Sequence, residues 1–75
     1  MGLKELVRKH VDQYLEQLDG EIPQDLYDLV INQVEHALLE ATLYQGNNNQ
    51  SKAAEMLGIS RGTLRTRMKL FGLLS

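Results

Sequence analysis

The 75-residue sequence has no cysteine and a single proline. Without cysteine there is neither a disulfide framework nor a thiolate metal cluster to brace so small a chain. That absence fits a reducing compartment. No run of 18 or more apolar residues occurs, so no segment is expected to span a membrane. The N-terminus lacks the pattern of a secretory signal. Met1-Gly2 opens like a myristoylation signal, but Leu6 stands where that signal needs Ser or Thr. The grouping of an enzyme site is missing too. His10 and His36 are far apart, and no carboxylate pair, phosphate-cradling loop or nucleophile–base set stands out. Gly58-Ile59-Ser60-Arg61-Gly62 matches a nucleophile elbow only in letters, because that motif needs a preceding strand. The sequence therefore predicts no catalysis, no cofactor and no metal.

A cationic surplus is also lacking overall: eight Lys and Arg face ten Asp and Glu, for a net charge of −2. Read alone, that argues against a polyanionic partner, but the distribution reverses the argument. Residues 1–46 carry three cations against nine carboxylates, a net of −6, while residues 47–75 carry five cations against Glu55, a net of +4. One end suits phosphate and the other repels it.

A chain this short allows one small domain, which is marginal as a monomer. Oligomerisation is the remaining aid, with a homodimer the simplest form. From Leu3 to Leu18, apolar residues Leu3, Leu6, Val7, Val11, Tyr14, Leu15 and Leu18 recur at three- and four-residue steps, which predicts an amphipathic helix stopped near Gly20. His10 lies beside that stripe and is expected to pack at its boundary. Pro23 marks the approach to a second helix, with Asp25 as its expected N-cap, running from Leu26 to about Gln45. Leu26, Leu29, Val30, Val34, Ala37, Leu38 and Ala41 mark one side of it, and Ile31, Leu39 and Leu43 extend the apolar surface around the rod. A helix apolar on so much of its circumference must be covered from several directions. A second subunit would supply that cover through Leu3, Val7, Val11, Leu15, Leu26, Val30, Val34 and Leu38. The alternative is a monomer whose C-terminal hairpin folds back over everything.

Gly46 ends the long helix, and Asn47-Asn48-Asn49 forms a turn in which asparagine tolerates left-handed backbone. Asn49 is the expected N-cap of a short helix from Gln50 to Leu57, with Ala53, Ala54 and Leu57 inward. Gly58 breaks it, Ile59 plugs the turn, and Ser60 caps a last helix from Arg61 to about Leu70, with Leu64 and Met68 inward. Two small alanines let the helices approach closely across a tight turn. The outward side of the last helix holds Arg61, Thr63, Arg65, Thr66, Arg67 and Lys69. This is the pattern of a helix-turn-helix whose second helix enters the DNA major groove. Arg can read guanine edges, while Thr and Lys can hold phosphates. The bland alternative is a solvated helical hairpin with a basic face. Phe71 is expected to pack back on the hairpin, with Gly72 as the stop and Leu73-Leu74-Ser75 as an apolar tail.

Asn49-Gln50-Ser51-Lys52-Ala53-Ala54, followed by Gly58-Ile59-Ser60-Arg61-Gly62-Thr63-Leu64-Arg65, resembles the C-terminal end of the Fis family, the bacterial factors for inversion stimulation. It is similar as well to the Fis-type domain that closes NtrC-class transcription activators. The likeness continues upstream through Asp25-Leu26-Tyr27-Asp28-Leu29-Val30 and Val34-Glu35-(x)2-Leu38-Leu39-Glu40, so it covers about Leu3 to Gly72. Arg-Gly-Thr-Leu-Arg at 61–65 leans toward Fis itself.

The resemblance implies an all-α fold of four helices per subunit. Residues 1–46 would form an intertwined dimer core and residues 47–75 a helix-turn-helix. It implies base contact by Arg61 and Arg65, and backbone contact by Asn49, Ser51, Lys52, Ser60, Thr63, Thr66, Arg67 and Lys69. The expected partners are double-stranded DNA and a second copy of the chain, in the cytoplasmic nucleoid of a bacterium, with the duplex bent to meet two recognition helices. Three departures are visible. Asn48 stands where the family usually has Gly, and Thr66 and Leu70 stand where it usually has Lys, which implies a shallower salt dependence. The chain begins at the first helix, so no recombinase contact of the kind made by the Fis N-terminal arm is expected. Alternatives are the output domain of an NtrC-class activator, or a protein–protein dimerisation module whose hairpin meets an acidic partner.

Overall fold

The computed structural model describes residues 1–74 and contains four helices in them: α1 Leu3–Gln17, α2 Leu26–Gln45, α3 Gln50–Leu57 and α4 Arg61–Leu70. No strand occurs among the described residues. The chain forms two compact units, one up to Ile31 and one from Asn32 onward.

The first unit holds α1, its exit turn and the opening of α2. Leu18 ends α1 in right-handed geometry, and the chain then turns left-handed at Asp19 (φ 50°) and Gly20 (φ 89°). Asp25 serves α2 through its backbone, its carbonyl accepting from the Leu29 N–H at 3.0 Å. No residue of α1 is buried. Val7, Val11, Tyr14 and Leu18 are half-buried, whereas Leu3 and Leu6 remain 68% and 50% exposed. His10 is exposed, so the boundary packing expected of it is not present in this subunit.

The second unit contains the core: Leu39, Leu43, Ala53, Ala54, Leu64 and Met68, one compact set drawn from α2, α3 and α4. Leu57, Ile59, Phe71, Leu73 and Leu74 pack against it. Leu73 and Leu74 of the expected apolar tail thus fold back, the Leu73 N–H donating to the Met68 carbonyl at 2.8 Å beside Gly72 at φ 69°, while Ser75 lies outside the described residues. Ala53 and Leu64 have no exposed surface. The only buried polar side chain described, Thr42, is satisfied by donating its hydroxyl to the Leu38 carbonyl at 2.8 Å.

The junction of α2 and α3 uses its glycine differently from a helix stop of the usual kind. Asn47 (φ 57°) and Asn48 (φ 62°) take the left-handed conformations, and their N–H groups close onto the Tyr44 and Leu43 carbonyls. Asn48, the residue that departs from the glycine expected there, thus takes left-handed backbone, which asparagine tolerates better than most side chains do. Gly46 instead eases a tight approach. A Cβ there would sit 3.3 Å from the Thr42 carbonyl oxygen and 3.8 Å from the Ala53 nitrogen.

Candidate nucleic-acid interface

The α3–α4 hairpin is built by three local devices. Asn49 caps α3, its Oδ1 accepting from the Lys52 N–H at 3.0 Å, which leaves its amide Nδ2 as a donor. Gly58 ends α3 at φ 74°, ψ 29°, while the N–H groups of Gly58 and Ile59 close onto the Glu55 and Ala54 carbonyls. This is the paired-bond helix stop that a left-handed residue permits. Ser60 caps α4, its Oγ accepting from the Thr63 N–H at 3.1 Å. The Ser60 hydroxyl in turn donates to Thr63 Oγ1 at 2.9 Å, so the hydroxyl hydrogen of Thr63 is the one left for an outside acceptor.

Leu64 and Met68 fasten α4 to the core, and that fixes which side faces out. At about 100° per residue, Arg61, Arg65 and Lys69 fall within an arc of about 80°. All three are exposed, as are Asn49, Ser51, Lys52, Ser60, Thr63 and Thr66. The hairpin thus gathers these candidate contacts onto α4 and onto the first turn of α3 that precedes it. Arg65 is steadied by Gln50, whose Oε1 accepts from Nη1 at 3.3 Å. Sequence reading assigned Gln50 no role. The Thr66 hydroxyl donates to the Gly62 carbonyl at 3.0 Å and is occupied within its own helix.

Arg67 lies apart from the other cations. Its angular position is about 160° from those of Arg65 and Lys69. The guanidinium grips Glu35 of α2 through both carboxylate oxygens: Nε donates to Oε2 and Nη2 to Oε1, each at 2.5 Å. Both side chains are partly shielded. A planar guanidinium matches a carboxylate in this two-bonded way. The Arg67 hydrogen bond holds the Glu35 carboxyl below the usual carboxylate range, against partial desolvation that pushes the other way, with direct charge attraction adding to the lowering. Arg67 is shifted upward by the same partner. The guanidinium carbon also lies 5.8 Å from the centre of the Phe71 ring, and Phe71 stacks on His36 with centroids 5.1 Å apart and planes 21° from parallel. His36 Nε2 lies 3.7 Å from Glu40 Oε1. The sequence gives Glu35 no partner, since nothing local marks one 32 residues away.

The residues expected at a subunit interface are incompletely covered. Val7, Val11, Leu26, Val30 and Val34 are half-buried, and Leu3, Leu15 and Leu38 are exposed. Leu38 is 51% exposed while its neighbour Leu39 is 2% exposed, because the hairpin occupies only the Leu39–Leu43 side of α2.

The family model described as "Bacterial regulatory protein, Fis family" matches residues 30–71, the whole hairpin together with most of α2. This chain belongs to the Fis family. Among its relatives are proteins called DNA-binding protein Fis. The one from Glaesserella parasuis serovar 5 is 45% identical over 71 residues, covering 95% of this chain and 72% of the relative. Those from Mannheimia haemolytica and Haemophilus influenzae (strain PittEE) are 44% and 45% identical over the same shares. The likeness to Fis therefore includes α1 and α2 as well as the hairpin.

Proposed function

We propose that this Fis-family chain is a non-enzymatic bacterial regulator that binds duplex DNA as a homodimer, inserting α4 of each subunit into the major groove. The observation that carries the reading is the row Arg61, Arg65, Lys69, exposed along a helix that Leu64 and Met68, on the neighbouring stripe, lock into the core. Arg61, in the first turn of α4, is assigned to guanine, with Arg65 beside it; the N-terminal turn of a recognition helix is where base edges are reached. Asn49, Ser51, Lys52, Thr63 and Lys69 serve the phosphates, with the α3 N-terminus adding N–H groups, and Ser60 and Thr66 join them by turning their hydroxyl hydrogens away from Thr63 and the Gly62 carbonyl. The relatives' name, DNA-binding protein Fis, supports the partner. The site of action is the bacterial nucleoid, and no helix described here is long and apolar enough to cross a membrane.

Pairing of subunits is supported by the apolar residues that α1 and α2 leave uncovered. Residues 1–46 are assigned to pairing and 47–75 to DNA. A two-fold dimer then offers two recognition helices at a fixed separation. Where that separation is less than one turn of straight duplex, the DNA must bend and compress its central minor groove. The site would carry guanine near each end and an A/T-rich centre. A gel-shift series that varies only the centre tests this: tighter binding to A/T centres is expected, and equal affinity for G/C centres contradicts the bending mechanism.

A further inference from the structure

We propose that Glu35 is a specificity-determining residue: it holds Arg67 against α2 and so withholds one guanidinium per subunit from the DNA backbone. The proposal rests on the DNA-binding reading above and departs from one assignment the sequence suggested, that of Arg67 to a phosphate. Three observations converge on it. Both oxygens of the Glu35 carboxylate are engaged by the Arg67 fork, which takes up Nε–H and one N–H of Nη2 and so ties that edge of the guanidinium to α2. The Phe71 ring lies close to the guanidinium and is itself stacked on His36, so α4 is fastened to α2 at this point by packing as well as by charge. The angular position of Arg67 on α4 is also well away from the row formed by Arg61, Arg65 and Lys69.

The consequence concerns selectivity. Backbone cations add affinity for every sequence alike, because each neutralised phosphate releases condensed counterions whatever the bases are. A cation kept on an internal carboxylate contributes nothing to binding at random sites. A dimer with Arg67 so held reaches fewer phosphates, and a larger share of its binding comes from base contacts and DNA shape. Glu35 also places a negative charge on the subunit, which further discourages Arg67 from acting as a phosphate ligand.

The salt dependence of binding reads this directly. The full chain and the variants Glu35→Gln, Arg67→Gln and the double variant would be titrated with two duplexes across a range of salt. One duplex has random sequence; the other has end guanines and an A/T centre. Glu35→Gln is expected to tighten binding to the random duplex several-fold and to steepen the slope of log K against log salt by about 0.9 per subunit. Arg67→Gln is expected to leave the wild-type slope unchanged, and the double variant to return to it. A slope flattened by about 0.9 per subunit in Arg67→Gln, with no change in Glu35→Gln, would overturn the proposal. If Glu35→Gln fails to fold, Glu35→Asp decides, since its carboxylate is one methylene too short for the two-bonded grip and should steepen the slope in the same sense. Absence of binding by the wild-type chain would instead overturn the DNA-binding reading itself, so the two failures are distinguishable.

Discussion

At Gly58 the backbone sits at φ 74°, with open space where a side chain would project. Gly58→Ala would therefore meet no clash, and its cost is conformational, about 1–2 kcal/mol. A denaturant melt should show that loss with an unchanged slope. At Gly46 the cost has the opposite origin, because an added Cβ would press on the Thr42 carbonyl where the backbones of α2 and α3 run close. Leu64 is fully buried, and Leu64→Ala should cost about 2–5 kcal/mol, enough to unfold so small a unit at moderate temperature. Outside the core the expected losses are functional. Arg61→Ala should abolish preference between sequences while sparing weak general binding, and Lys52→Ala should weaken all duplexes alike. Identical behaviour of the two variants in a competition assay would contradict the division between base and phosphate contacts.

The Glu35–Arg67 pair belongs to the scale of elements, because it joins α2 to α4. Its pH dependence follows from the depressed carboxyl. A carboxylate stabilised in the folded state contributes fully above its unfolded pKa, and that contribution is lost as pH falls through the lower, folded value. Thermal melts of the wild type should show an acid-side loss of stability that is reduced in Arg67→Met. Equal acid-side slopes would mean the pair does not couple to folding. The same pair shows where sequence reading ends. The caps at Asn49 and Ser60 and the left-handed stop at Gly58 were legible because each is a contact within a few residues. The inward positions Ala53, Ala54, Leu64 and Met68 followed from helical spacing. Arg67 was read as an outward cation because its partner lies 32 residues away and no periodicity links them. Nor could the sequence say which side of α2 the hairpin would take. Leu38 and Leu39 are adjacent and equally apolar, and only the packing makes one exposed and the other buried. The apolar tail was equally ambiguous until Leu73 and Leu74 were seen against the core.

For the whole molecule, the central issue is what covers the apolar surface of α1 and the side of α2 that the hairpin does not use. Leu3, Leu6 and Leu38 are each at least half exposed in the single subunit. Pairing would remove that surface from water at roughly 25 cal/mol per Å², the main source of stability open to a chain with no disulfide. Folding should then depend on protein concentration, with the thermal midpoint rising as the chain is concentrated. Val7→Asp and Leu38→Asp should each shift the population toward monomer and weaken DNA binding, although neither residue is assigned to DNA. The most direct measurement is light scattering on the chain alone and then with one equivalent of a short A/T-centred duplex. The account predicts a species of twice 8.5 kDa that takes up a single duplex as a pair. A folded 8.5 kDa monomer that leaves every duplex unbound would contradict it.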